Sequence, residues 1–297
     1  MSLPNSLMTS DVMSARDAIE RALDENLSLD SGCPDRLREA MRYSVLSPGK
    51  RLRPLLVMAS TRLCGGEDAN ALPAACAVEF IHCYSLVHDD LPAMDDDDLR
   101  RGRPTTHKQF DEATAILAGD ALIPLAFEVM SRDIQPEATA ARCCLELARA
   151  SGASHLVGGQ ADDLAAENGE CDLQMLERIH LRKTAAMLAV SLKLGAICAH
   201  SSEENISRLE RFGKNLGLAF QISDDLLDLR GEQDKMGKRV GKDQSKGKLT
   251  YPSALGIERS EQLANQLVAD AVNSLESFGS RAQPLVDLAQ FVVSRTR

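Results

Sequence analysis

The sequence predicts an all-α protein, a single domain of about ten or more helices packed as a bundle. Three observations carry this. Apolar residues recur at three- and four-residue steps, many windows are rich in Ala, Leu, Glu, Arg and Met, and no segment alternates apolar and polar residues convincingly. Aromatic content of 3% with no Trp also argues against a sandwich or barrel, whose pleated faces favour aromatic side chains. The 297 residues are enough to bury a sizeable core.

The elements follow in order. Leu37, Met41 and Val45 mark one helix, and SPGKRLRP (47–54) is the loop after it. CGGEDANALP (64–73) is a second loop, followed by a helix that Pro92 ends or kinks. Ile116 to Met130 is nearly all apolar except Asp120 and Glu128, so this helix is expected to be buried on most sides, with Asp120 as a buried structural carboxylate. Ile206, Leu209, Phe212 and Leu216 mark another helix, and a loop is expected after Arg230. No repeat, low-complexity tract or long linker divides residues 1–297.

The bulk properties exclude some functions. A net charge of −10 argues against nucleic acid as the main partner, which calls for a basic face. An acidic chain that binds an anion must concentrate positive charge locally or recruit metal cations. The eight Cys form no CxxC and no zinc pattern, which suits reduced thiols in a cytoplasmic protein. The N-terminus lacks the basic start and apolar stretch of a signal peptide, and no apolar run is long enough to span a bilayer.

Two acidic clusters stand out. In EFIHCYSLVHDDLPAMDDDDLRRGRPTTH (79–107), His82, Leu86, Asp89 and Asp90 share one helical face, and Pro92 places the acids at the helix C-terminus. The dipole there disfavours anions, so a cation is expected to offset them. Magnesium takes carboxylate oxygens and keeps water or phosphate oxygens in its other positions, so Asp89 and Asp95 can flank bridged metals. Arg100 and Arg101 follow directly, and Arg suits bidentate phosphate contact. A solvated acidic loop is the plainer alternative for the DDDD run.

In FQISDDLLDLRG (220–231), Gln221, Asp224, Asp225 and Asp228 fall at i, i+3, i+4 and i+7, one polar stripe on a continuous helix. Like charges at this spacing repel, so the stripe is expected to face a cavity; a surface acidic face is the alternative. Cations gather elsewhere: Lys50, Arg51 and Arg53 beside Gly49; Arg182 and Lys183 before Thr184; and Lys238, Lys242, Lys246 and Lys248.

Taken in order, GKRLRP (49–54), DDLPAMDDDDLRRG (89–102), GGQADD (158–163), KT (183–184), FQISDDLLD (220–228) and GKxxGKD (237–243) resemble the short-chain trans-isoprenyl diphosphate synthases, and most closely bacterial farnesyl diphosphate synthases. The likeness covers nearly the whole chain. It implies the isoprenoid synthase fold, helices around a deep central cavity, and a homodimer. It implies that Asp89, Asp90 and Asp95, and likewise Asp224, Asp225 and Asp228, bind several magnesium ions (Mg2+). It further implies that Arg100, Lys183 and Lys238 hold the allylic diphosphate, dimethylallyl or geranyl diphosphate. Gly49, Lys50, Arg53, His82 and Arg101 would hold isopentenyl diphosphate, while Thr184 and Gln221 line the path of the developing cation.

Product length in this family is set below the first cluster. Tyr84 lies five positions before Asp89, about 7.5 Å back along a helix, and a bulky ring there resembles farnesyl-producing members. Ser85 is small and adds no second stop. Geranylgeranyl diphosphate synthase is the nearest rival. Terpene cyclases do not need GKRLRP and the paired arginines, and both acidic clusters are intact here, unlike those of many non-catalytic subunits.

Overall fold

The computed structural model describes residues 9–167, 172–234 and 249–294. It is about 80% helical, as predicted, and among the described residues its extended structure is one two-stranded hairpin. The chain divides into two compact units: Met1–Leu145 with Leu194–His200, and Glu146–Lys193 with Ser201–Arg297.

The first unit contains α1 (Ser10–Asn26), α2 (Asp35–Val45), α3 (Leu52–Leu63), α4 (Asp68–Asp89), the hairpin β1 (Leu99–Arg100) and β2 (Arg103–Pro104), α5 (Thr106–Gln109) and α6 (Glu112–Asp133). Side-chain caps start two of these helices. The Thr9 hydroxyl accepts from the Val12 N–H, and Asp111 accepts from the Thr114 N–H at 2.8 Å. The core runs along α4, which packs against α3 and α6. Ala74, Ala75, Ala77, Val78, Phe80 and Ile81 are all fully buried, so α4 is apolar on most sides, as a central helix must be.

Several expectations change here. The loop before α4 is short, because α4 begins at Asp68 and takes Ala69–Pro73 into the helix. The α6 helix is not buried on most sides. Ala115, Ala118, Leu122, Ala126 and Val129 form its covered face, whereas Ile116 and Leu117 are 44% and 57% exposed. Asp120 shares that outer face with its side chain 58% exposed, so it is no buried structural carboxylate. Apart from Asp120 and Glu128 the stretch from Ile116 to Met130 is apolar on every side, so packing and not composition sets which face is covered. By length and mean hydropathy, α4 and α6 also reach the range of a membrane span, contrary to the sequence reading. Isolated polar residues break both runs without lowering the mean enough, and 67% of the apolar window of α4 is buried inside the protein.

The helices α7 (Glu137–Ser151) and α10 (Ala186–Cys198) each contribute residues to both units. The second unit further contains α8 (Leu156–Glu167), α9 (Leu173–His180), a π-helical turn (Leu181–Ala185), α11 (Glu203–Asp234), α12 (Tyr251–Leu255), α13 (Ile257–Ser274), a 3-10 segment (Glu276–Ala282) and α14 (Gln283–Ser294). Ile206, Leu209, Phe212 and Leu216 are buried on one face of α11, as their spacing predicts. The helix runs past Arg230 to Asp234, where a loop was expected. Lys238, Lys242, Lys246 and Lys248 lie outside the described residues.

Two glycines let α11 press on its neighbours. A Cβ at Gly217 would stand 2.4 Å from the Ala185 Cα, and one at Gly213 would stand 2.5 Å from the Ala189 Cα. On another side, a Cβ at Gly159 of α8 would stand 2.7 Å from the Lys183 N. The π-helical turn is thus held between α8 and α11. Such turns are rare and recur at functional sites.

Candidate active site

The first acidic cluster is a folded loop, not a loose acidic run. The last helical residue of α4 is Asp89, and Asp90 caps the helix. The chain then doubles back: the Asp95 N–H donates to the Asp89 carbonyl at 2.9 Å, and the Asp97 N–H to the Asp90 carbonyl at 3.2 Å. Thr105, 2% exposed, closes the loop from behind, its hydroxyl donating to the Asp97 carbonyl at 2.8 Å. The hairpin that follows pairs Arg100 with Arg103. Its two turn residues, Arg101 and Gly102, have φ of 54° and 77°, as a tight right-twisting hairpin requires.

This loop brings Arg100 onto Asp90. The guanidinium Nε and Nη2 both donate to the Asp90 Oδ1, at 2.8 and 2.6 Å. Burial pushes the Asp90 carboxyl up, and the Arg100 hydrogen bonds oppose that push. Asp89 and Asp90 are buried, Asp95 is half-buried, and Asp96 and Asp98 are exposed. The inner acids and the solvated outer charge therefore separate along one short segment.

The cations of GKRLRP have three different fates. Lys50 is exposed. Arg51 turns inward at φ 51° and is 2% exposed, bonded to Glu79 at 2.7 Å and to Glu20 at 2.8 Å. It is a structural residue. Arg53 meets His82, its Nη1 standing 3.2 Å from the His82 Nε2. Since Arg only donates, the His82 Nε2 must accept and its proton sits on Nδ1. Gly49 leaves room for a close approach, since a Cβ there would stand 2.5 Å from the Arg101 Nη1 at the far end of that side chain. That Nη1 donates to the Pro48 carbonyl at 3.0 Å.

Burial, and then the guanidiniums of Arg53, Arg101, Arg100 and Arg51, hold the His82 imidazole neutral, well below its usual range. The unfolded chain therefore binds more protons below pH ~6.5 than the folded one. The contribution of His82 to stability is complete above that pH and declines as pH falls. Thermal melts of His82→Gln should lose less stability than the parent between pH 7 and 5; parallel curves would refute this.

The second cluster lies on α11 in the other unit. Asp224 and Asp225 are half-buried and Asp228 is exposed. Gln221 Nε2 donates to Asp225 Oδ1 at 3.2 Å, and the Tyr251 N–H donates to Asp225 Oδ2 at 3.0 Å. From the π-helical turn, the Thr184 hydroxyl donates to Gln221 Oε1 at 3.5 Å. Burial raises Asp225 to about 6, with Asp224 and Asp228 adding to the rise. Lys183, beside Thr184, pairs with Asp163 at 3.0 Å, and Arg182 pairs with Asp162 at 2.5 Å. The motif GGQADD thus provides the acids that hold the turn, a role sequence reasoning missed.

The donor chemistry suits a hard cation. Both clusters offer carboxylate oxygens, and in the second the charges of Asp224 and Asp228 help push the Asp225 carboxyl up. Among the described residues no three such side chains converge into a closed cage.

The helical scaffold with two aspartate-rich segments, the first beside the Arg100 guanidinium, is that of a prenyltransferase, as its family shows. The chain belongs to the polyprenyl synthetase family, whose model matches residues 34–282. It is 46% identical over 293 residues to geranylgeranyl pyrophosphate synthase 7, chloroplastic, of Arabidopsis thaliana, covering 97% of this chain and 84% of that protein. A solved FPP/GFPP synthase from Zymomonas mobilis superposes with a TM-score of 0.86 at 41% identity, over 97% of this chain and 99% of the other. A geranyltransferase from Legionella pneumophila gives 0.85 at 35% identity, over 96% of each chain.

Proposed function

We propose that this prenyltransferase condenses isopentenyl diphosphate with dimethylallyl and then geranyl diphosphate, and stops at (2E,6E)-farnesyl diphosphate. The observation that carries the stop is Tyr84. Its ring is 7% exposed and lies on α4 about 7.5 Å before Asp89. Burial and the Asp89 charge push its phenol up to about 12, so it stays neutral in the working range. A prenyl chain anchored at the first cluster and growing along α4 meets this ring.

Asp89, Asp90 and Asp95, and separately Asp224, Asp225 and Asp228, would hold magnesium, which when bound neutralises charge on a departing diphosphate. Arg100 and Lys183, with Lys238, bind the allylic diphosphate. Lys50, Arg53, His82 and Arg101 bind isopentenyl diphosphate at the loop of Gly49. Thr184 and Gln221, already hydrogen-bonded to each other, line the path of the allylic cation. No side-chain base is assigned; the released diphosphate takes the proton lost after condensation. The acting form is a homodimer, a reading supported by the uncovered Ile116 and Leu117 of α6. The seven described cysteines are free thiols, which supports a reducing, cytoplasmic setting.

A C20 product is the second reading. It is favoured by the names of the Arabidopsis relatives, which are geranylgeranyl pyrophosphate synthases. Incubation with dimethylallyl and isopentenyl diphosphates, phosphatase treatment and sizing of the alcohols separates the two. Dominant C15 alcohol, abolished by EDTA and restored by magnesium, is expected. Dominant C20 would overturn the farnesyl reading and retain the prenyltransferase.

A further inference from the structure

The ring of Tyr84 does not stand alone. One turn on, His88 of α4 meets it edge to face, with centroids 5.8 Å apart and planes at 76°. On its far side His88 is tied to α6, its Nε2 standing 3.1 Å from the Ile116 carbonyl oxygen. A carbonyl only accepts, so the Nε2 carries the proton and donates. Beneath the ring lies Gly119. A Cβ built there would stand 2.1 Å from the His88 Nε2 and 2.5 Å from its Cδ2. Real atoms never approach so closely, so His88 occupies this seat only because residue 119 has no side chain.

We infer that His88 and Gly119 are specificity-determining residues: Gly119 admits the His88 ring, and His88 holds the Tyr84 ring in the position that stops the growing prenyl chain. The inference rests on the farnesyl reading and deepens it. Product length then depends on a seated ring and not on the size of residue 84 alone. The mechanism is steric. The His88 side chain is 26% exposed, so it has a way out toward solvent when its seat is filled. Its departure removes the edge contact from Tyr84 and opens space beside it, into which the Tyr84 ring can turn. None of this requires a change in the diphosphate-binding side chains.

Gly119→Ala supplies the test, read as the ratio of C20 to C15 alcohols formed by the purified enzyme. A rise of roughly three- to tenfold is expected, the size that follows from losing one aromatic edge contact. Tyr84→Ala should lengthen the product further, and adding Gly119→Ala to Tyr84→Ala should produce no additional change. His88→Ala, which empties the same seat without adding atoms, should shift the ratio in the same direction, and it serves as the test if Gly119→Ala does not fold. A longer product from Tyr84→Ala with unchanged C15 from both Gly119→Ala and His88→Ala would overturn this inference and leave the farnesyl reading intact. Unchanged C15 from Tyr84→Ala would instead overturn the reading of Tyr84 as the stop, and the inference with it. Equal lengthening by Gly119→Ala with and without Tyr84 would show that residue 119 acts by another route and would also overturn it.

Discussion

Arg100→Ala is expected to lower turnover by roughly a hundredfold or more and to destabilise the protein by about 3 kcal/mol. Both effects come from the same geometry. The guanidinium makes three close contacts with the Asp90 carboxylate, which is only 4% exposed. Removing it leaves a buried carboxylate that desolvation already pushes up, without the hydrogen bonds that oppose the push. On the proposed function it also removes a fixed cation from the allylic diphosphate, where such donors act in a site that excludes water. Arg100→Lys keeps the charge but loses the fork, so it should restore stability more fully than turnover. Adding Asp90→Asn to Arg100→Ala should recover part of the stability, because no orphan charge then remains, but none of the turnover. Melting curves and steady-state rates on the three variants check this. An Arg100→Ala enzyme that melts and turns over like the parent would refute both roles.

Arg51→Met is the expected largest effect on stability, about 3–5 kcal/mol. Arg51 sits among two carboxylates, and the Glu79 side chain is 3% exposed. The Arg51 guanidinium donates to Glu20, to Glu79 and to the Ser47 carbonyl, joining α1, α4 and the loop before α3. Burial lowers the pKa of Arg51, but its two acids more than offset that, so the guanidinium stays charged. Deleting the cation strands Glu79 in the core. The double variant Arg51→Met, Glu79→Gln should therefore be more stable than Arg51→Met alone, even though it lacks both charges. Urea denaturation of the single and double variants measures this, and a single variant within about 1 kcal/mol of the parent would show that solvent relieves the stranded charge.

These two arginines mark how far the sequence could be read. Arg100 sits in a motif whose family resemblance assigns it to diphosphate, and here it also holds Asp90. Arg51 sits between Lys50 and Arg53 as one of three like cations, and nothing local distinguishes it. Its backbone turns left-handed, and its partner Glu79 lies 28 residues on. The place of His88 is hidden from the sequence for the same reason. Its seat is Gly119 on another helix, and a glycine inside an apolar run carries no local signal of what lies against it. Asp163 was read only as part of a motif, and its contact with Lys183 spans 20 residues.

What the sequence by itself determined is whatever depends on spacing along one helix. The periodic apolar faces of α2 and α11 are local, and so is the Gln221–Asp228 stripe. So is the helix end at Asp89, which Pro92 enforces through its missing N–H. The all-α class and the acidic clusters follow from these alone. Only the tertiary structure decided which charges are used inward and which face water. It separated Arg51 from Arg53, seated Arg100 on Asp90, turned Asp120 outward, and placed His88 over Gly119. The physical reason is that burial and pairing are properties of two chain segments that meet. A run of residues specifies its own periodicity, but the partner that neutralises a charge or makes room for a ring comes from elsewhere in the chain.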